Sequence, residues 1–195
     1  MMTRNAAALV AALALLPCLT AFAQGKDSPS AEEGSYYARP FVVGDQSISI
    51  NVGAQIPLFA FGGDATTNSS HMYTGAGFGF AYQRFIAPGL AIGGSIEGAF
   101  NETFGARTLF VAPLSFVLSY WWTVKAFEIG VLAEPGVYLM RLSGDSMFGP
   151  VMKLGGIANW RVSNGWSVGL AATYWFVPEI HTGAYSDLTR YGNFI

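Results

Sequence analysis

The chain has 195 residues, of which 52% are hydrophobic and only 11% are charged, and its formal net charge is −2. Soluble domains usually carry roughly a quarter charged residues, so this composition is unusual for a protein that folds in water. The slightly acidic balance gives no support for nucleic-acid binding, which is typical of strongly basic domains. After residue 23 no run of about 18 apolar residues exists, which excludes a transmembrane helix in that part of the sequence.

Residues 1–23 have the features of a secretory signal peptide. Arg4 supplies a positive start, 6–16 is an apolar run, and Ala21-Phe22-Ala23 provides the small residues of a cleavage site. The alternative is a lipoprotein signal at Cys18, but Pro17 stands where such a signal needs a small residue. We therefore expect a secreted protein whose mature chain has no disulfide bond.

Residues 24–40 are polar and predict a mobile leader, after which apolar and polar residues alternate with a period of two. This period is typical of β-strands with one apolar face. In the first strand, for example, Ile48, Ile50 and Val52 alternate with serine and asparagine. The pattern predicts seven strands, at about residues 47–57, 73–85, 89–101, 108–120, 126–140, 150–161 and 166–176.

A water-soluble β-sandwich would alternate as well, so two further features decide in favour of a membrane barrel. The connections alternate between short turns, such as 86–88 and 162–165, and longer segments at 57–72, 141–149 and 178–190, as they do in outer-membrane barrels. Aromatic rings also favour the level of the lipid headgroups. We predict an aromatic girdle near the short turns, formed by Phe85, Trp121, Trp122, Trp160 and Trp166.

The predicted fold is an all-β, antiparallel, up-and-down transmembrane barrel in residues 41–195, with seven full strands and a stub of an eighth. Single-chain bacterial barrels have an even number of strands, and each strand needs roughly 9–11 residues to cross. Only residues 190–195 remain for the eighth strand, so we expect a chain that is truncated there. The alternative is that residues 37–43 of the leader supply a strand.

Pro113 and Pro135 lie inside the fourth and fifth predicted strands, at similar heights across the turn between them. Proline cannot donate a hydrogen bond to a β-ladder. We therefore expect a local break in strand pairing at these two positions. A lateral opening for hydrophobic ligands at the break is the functional alternative.

The segment Val43-Gly44-Asp45-Gln46 and the strand pattern that follows it carry a family resemblance over residues 41–195. The chain resembles the small eight-stranded OmpA/OmpX-type barrels and their OmpW-like relatives, and its opening segment is similar to that of spirochaete outer-membrane barrel proteins. The resemblance implies a bacterial outer membrane, with lipid and the barrel-assembly machinery as partners and an external ligand or surface at the loops. Such relatives include adhesins, defence-related surface proteins and conduits for small hydrophobic molecules.

Charged residues on the predicted inner face form the strongest candidate site: Glu97, Glu128, Glu134, Lys153 and Arg161. An eight-stranded barrel is just wide enough for side chains to fill, so we predict that they form an ion-pair plug. Pairing the fifth and sixth strands across 141–149 sets Glu128 opposite Arg161 and Glu134 diagonal to Lys153. A stabilising polar core is the preferred role, and a transport gate is the alternative.

Surface chemistry has weak support in the sequence. The residue types of a hydrolase or acyltransferase occur in predicted loops, as Asp64, Ser69, Ser70, His71 and His181. These are also ordinary loop residues, and we expect no catalytic residues, metal or cofactor. The predicted function is structural or surface-interacting; the alternative is a narrow conduit for small hydrophobic solutes, and an outer-membrane enzyme is a remote third.

Overall fold

The structure is a computed structural model that describes residues 19–24, 39–61, 70–180 and 190–195. Most of the predicted signal peptide and leader, at 1–18 and 25–38, lies outside the described residues, as do Asp64, Ser69 and His181. None of the described residues belongs to a helix long and apolar enough to cross a membrane.

Within these ranges the regular structure is entirely β and forms one antiparallel sheet of ten strands. The strands are β1 (Leu19–Gln24), β2 (Gln46–Gln55), β3 (Pro57–Phe61), β4 (Gly75–Ala87), β5 (Leu90–Glu102), β6 (Thr108–Val124), β7 (Phe127–Leu142), β8 (Asp145–Ser163), β9 (Trp166–Glu179) and β10 (Arg190–Phe194). Their order in the sheet is β1-β2-β4-β5-β6-β7-β8-β9-β10-β3, and β1 also pairs with β9.

The seven long strands, β2 and β4 to β9, are the seven that the alternation predicts, and each pairs with the next along the chain. The predicted all-β, antiparallel fold is therefore confirmed, and the strand order is consistent with an up-and-down arrangement. Of the three short strands, two differ from the prediction and the third agrees with it. β1 lies in the predicted signal peptide, β3 lies in a segment predicted as a loop and pairs with β10, and β10 is the expected stub.

The β7–β8 connection was predicted as a long loop at 141–149, and this prediction is wrong. β7 continues to Leu142 and β8 begins at Asp145, so the connection is the two-residue turn Ser143-Gly144. Both turn residues have positive φ, at 50° and 113°, the conformation that twisted two-residue hairpins need. The prediction missed the turn because the polar residues around it are equally typical of a loop.

The tight turn also corrects the predicted register of β7 and β8. Glu134 lies directly opposite Lys153, and Glu128 lies opposite Asn159. The predicted register was two residues off because it assumed a longer connection. A two-residue shift leaves every side chain on its original face, so the charged residues still point to the side on which they were predicted.

The two prolines interrupt the ladders as predicted. The pairing of β5 with β6 stops between Ile96↔Leu114 and Ala99↔Val111, next to Pro113. The pairing of β6 with β7 stops between Ser115↔Gly136 and Leu118↔Ala133, next to Pro135. The register is the same on both sides of each interruption, so the breaks are local and add no residue to a strand.

The apolar face of the sheet is exposed and the polar face is buried, which is the reverse of a water-soluble sheet. Apolar side chains on one face are exposed, including Ile50 (55%), Ile96 (58%) and Leu114 (59%). The other face is buried and carries serine, asparagine, glutamine and charged residues. In a water-soluble sheet, the apolar face is the buried one.

Two apolar clusters lie on the buried face at different heights. The first, which we call the turn-end cluster, lies near the turns at 88–89, 125–126 and 164–165 and comprises Phe41, Phe85, Ala91, Trp121, Leu132 and Ile157. The second, which we call the far-end cluster, comprises Ala99, Leu109, Val111, Tyr138, Val151, Trp175, Val177 and Phe194. The charged residues of the buried face lie among and between these clusters.

The predicted aromatic girdle is wrong for two of its five members. Phe85 is 1% exposed and Trp121 is 4% exposed, and both belong to the turn-end cluster. Trp122, Trp160 and Trp166 are about half exposed on the outer face. Consecutive strand residues point to opposite faces, so Trp121 and Trp122 cannot both belong to an outward girdle.

Candidate functional site

The centre of the buried face holds a cluster of charged residues, which we call the Lys153 cluster. The Nζ atom of Lys153 lies 2.8 Å from Oε2 of Glu97 and also contacts Oε2 of Glu134. Ser95 Oγ donates a hydrogen bond of 2.9 Å to the same Glu134 oxygen and accepts one of 3.4 Å from Nζ. The side chain of Lys153 is completely buried.

The Lys153 cluster joins strands that are not neighbours in the sheet. Glu134 on β7 and Lys153 on β8 are adjacent, but Glu97 and Ser95 lie on β5, and β6 separates β5 from β7. Contacts of this kind require the sheet to curve strongly around its buried face. On the other side of Lys153, the ring of Trp175 on β9 lies 5.4 Å from Nζ, within the range of a cation–π contact.

The chemistry of the Lys153 cluster favours a structural role. A buried charge is tolerated when it is paired and hydrogen-bonded, and removing one partner leaves the others uncompensated. Lys153 is the single ammonium group between two carboxylates here, so the cluster depends on it. Among the described residues, no group of His, Cys, Asp and Glu could hold a metal ion.

A second ion pair lies near the turn end. The guanidinium of Arg161 on β8 donates to Oε1 of Glu128 on β7 through Nε at 2.9 Å and through Nη2. Ser167 Oγ on β9 donates to the other carboxylate oxygen at 2.8 Å. All three side chains are buried, and together with Phe41 and Ser47 they line a small cavity.

Phe41 closes the buried face at the turn end. Its ring stacks on Phe85 at a centroid distance of 4.2 Å and meets Trp121 edge-on at 5.8 Å. The segment that carries Phe41 is anchored by backbone bonds from Gly44 N to Phe85 O and from Gly89 N to Phe41 O. Residues 39–45 form no strand, so the alternative that 37–43 supplies one has no support in its described part.

Replacing Phe41 with Leu is expected to lower the free energy of unfolding by about 1 kcal/mol, because the two ring contacts are lost while most apolar volume remains. Urea titration of the refolded protein, followed by tryptophan fluorescence, would measure the change. The matched control is Phe148→Leu, since Phe148 is 70% exposed. Equal effects at both positions would contradict the assignment of Phe41 as a packed end cap.

The structure brings the sequence-predicted charged residues together as two separate groups. Glu97, Glu134 and Lys153 form one, and Glu128 and Arg161 form the other. Sequence reasoning missed Ser95, Ser167, Phe41 and Trp175. Alternation already places Ser95, Ser167 and Trp175 on the inner face, whereas nothing in the pattern singles out Phe41.

Ser167 stands in the sequence Gly165-Trp166-Ser167-Val168-Gly169, which matches the Gly-x-Ser-x-Gly pattern of hydrolases. That pattern indicates a nucleophile only at a sharp turn from a strand into a helix. Here Ser167 lies within an antiparallel strand and donates to Glu128. His71, the one described histidine, is exposed, and its ring lies 5.9 Å from that of Phe104. Ser167 is therefore not placed as the nucleophile of such a hydrolase.

Comparison with known proteins gives a family for this chain. A protein-family model matches residues 27–195. The chain belongs to this family. A protein of Treponema pallidum (strain Nichols), described as an uncharacterized protein, is 24% identical over 184 residues, which cover 89% of this chain and 84% of that protein. No solved structure matches the chain significantly. The family match and this relative suggest a spirochaete-type protein.

Proposed function

We propose that this protein is an integral β-barrel protein of a bacterial outer membrane, with a structural or surface-interaction role and no enzymatic activity. The observation that carries the proposal is the exposed apolar face of the sheet, on which Ile96 and Leu114 are more than half exposed near the middle of long strands. In water a continuous surface of this kind would drive association. In a bilayer it faces hydrocarbon, which is the arrangement of transmembrane barrels.

Strand pairing supports closure of the sheet into a barrel. β1 is hydrogen-bonded to β2 on one side and to β9 on the other, which supports a closed order of the strands. Contacts across the buried face, such as Glu97 to Lys153, fit a closed interior. A lipid environment demands such closure because an open sheet edge leaves backbone groups unsatisfied, at several kcal/mol each.

The contents of the interior favour a plugged barrel over a conduit. Phe41 caps the turn end, the Lys153 cluster fills the middle, and the far-end cluster fills the other end. Eight-stranded barrels leave little space beyond their own side chains. We therefore expect no steady ion conductance when the protein is inserted in a planar bilayer.

Three further features fit an outer-membrane location. The exposed Trp122, Trp160 and Trp166 lie near the turn end, where a headgroup layer would hold them. The family match begins at residue 27, after the predicted signal peptide. β9 ends and β10 begins at the opposite end, which makes that end the candidate for contact with an external ligand or surface. The barrel-assembly machinery would be the partner for insertion.

Single-cysteine labelling in vesicles tests the proposal. In a Cys18→Ser background, Ile96→Cys on the outer face and Lys125→Cys at a turn are each refolded into phosphatidylcholine vesicles and treated with a water-soluble maleimide. We expect rapid labelling at position 125 and strong protection at position 96, with equal labelling after denaturation. Rapid labelling at both positions in vesicles would contradict a membrane-embedded outer face.

A further inference from the structure

The seam between β2 and β9 is filled by two separate short strands. β10 pairs with β9 from Glu179 to Trp175, and β1 pairs with β9 from Gly169 to Trp166. On the other side of the seam, Ile195 is hydrogen-bonded in both directions to Ile56, and β1 pairs with β2. Both short strands run antiparallel to β9, so β1 lies in line with β10 and continues its direction.

Among the residues that the structure describes, none forms a strand in the stretch of the seam between β1 and β10. Ile195 lies opposite Ile56, and Leu19 lies opposite Val52. In the described ranges, Gly53, Ala54 and Gln55 of β2 therefore have a strand partner on the β4 side only. The facing part of β9 contains Ala171, Ala172 and Thr173, so small residues dominate both walls of this stretch.

Unsatisfied polar atoms on β2 mark the same seam. Ser47 Oγ and Asn51 Oδ1 are buried and have no hydrogen-bond partner among the described residues. The register places Gln24 opposite Ser47 and Thr20 opposite Asn51. Opposed residues of an antiparallel pair lie on the same face, so a strand in the seam has two positions on the face of these two atoms.

β1 is held by few backbone pairs. It pairs over six residues with β2 and over four with β9, whereas β7 and β8 pair over their whole hairpin. β1 also lies outside residues 27–195, which the family model matches. The part of the chain that defines the family therefore has this seam without the strand that fills its turn end.

We propose that the seam between β2 and β9 is a binding site for an extended peptide strand and that β1 is its displaceable occupant as long as the predicted signal peptide is attached. The strand runs in the direction of β10, covers β2 from Ser47 to Gln55, and carries hydrogen-bond donors at the positions opposite Ser47 and Asn51. Main-chain hydrogen bonds supply the affinity, and the two polar positions supply the register, as in other cases of strand addition. The proposal concerns strand pairing and does not depend on where the protein is located.

Disulfide trapping in the full chain tests whether β1 occupies the seam. In a Cys18→Ser background, Ala21→Cys is combined with Ile50→Cys or with Val168→Cys, the two positions opposite residue 21. We expect rapid cross-linking in both pairs after refolding. Ala21→Cys with Ala54→Cys, four residues further along β2, is the mismatched control and should stay reduced. Ile50→Cys with Phe80→Cys, partners in the β2–β4 ladder, checks that the sheet has formed; cross-linking there without cross-linking to residue 21 would overturn the proposal.

A competing peptide tests whether the occupant is displaceable. The probe is a synthetic peptide with the sequence of residues 16–24 and two replacements, Cys18→Ser and Ala21→Cys. We expect the peptide to form a mixed disulfide with an Ile50→Cys variant that retains Ala21. It should form none with the control variant Phe116→Cys, whose cysteine lies on the outer face of β6. A cysteine-free version at excess should slow the 21–50 cross-link at least several-fold, whereas a scrambled version should not. An unchanged cross-linking rate, or equal reaction at Phe116→Cys, would overturn the proposal.

Discussion

Replacing Lys153 with Met is expected to lower the free energy of unfolding by about 3–5 kcal/mol, the usual cost of leaving buried charges without their partner. Glu97 and Glu134 would keep their buried positions but lose the ammonium group that both of them contact. Met fills a similar volume, so lost packing contributes little. Urea titration in detergent micelles, monitored by the mobility shift of folded protein in gels, would measure the loss.

Two further variants separate charge pairing from other effects of Lys153→Met. Lys125→Met removes a lysine from an exposed turn and should change the free energy of unfolding by less than about 0.5 kcal/mol. The triple variant Glu97→Gln/Glu134→Gln/Lys153→Met removes all three charges and should recover most of the stability, because no buried charge is left unpaired. If the triple variant were as unstable as Lys153→Met, charge pairing would not be the basis of the cluster.

Replacing Leu114 with Arg should lower the free energy of unfolding in vesicles by about 2–4 kcal/mol, the cost of an arginine at the midplane of a bilayer. Leu114 lies on the exposed face of β6, between Ile96 and Val137 on the neighbouring strands. In a water-soluble sheet the same substitution would replace an exposed apolar side chain by a charged one and would change stability by at most about 0.5 kcal/mol. The measurement therefore distinguishes the two environments of this face.

Thr108→Arg is the matched control for Leu114→Arg, since Thr108 is exposed at the end of the same strand. A cost near zero to about 1 kcal/mol is expected there because the penalty falls toward the interface. Equal and small costs at both positions, measured in phosphatidylcholine vesicles, would show that the outer face does not contact hydrocarbon.

Alternation along the sequence was sufficient to predict the seven long strands and the shared face of the five charged residues of the candidate site. It could not set the register of β7 against β8, because a turn of two residues and a loop of nine give the same alternation on either side. The errors at Phe85 and Trp121 arose where residue type was weighed above alternation. Both share the face of neighbouring serine or glutamine residues, so the pattern itself already placed them inside.

Other features were beyond any local pattern. The position of Phe41 depends on a segment without strand structure folding back over the end of the sheet. The pairing of β1 with both β2 and β9 brings together segments that are distant in the chain, and its own sequence is typical of a cleavage region. Such contacts depend on the space that the remaining strands leave, which local residue spacing does not report.

The contact between β5 and β8 has a consequence for how the protein unfolds. Ser95 and Lys153 are separated by 58 positions in the chain, whereas each hairpin of the sheet is local. β5 therefore cannot separate from β8 without breaking buried polar contacts at the centre of the sheet. We expect the strands from β5 to β8 to unfold together in one cooperative transition, with hydrogen exchange at the centre of β5 and β8 limited by that opening.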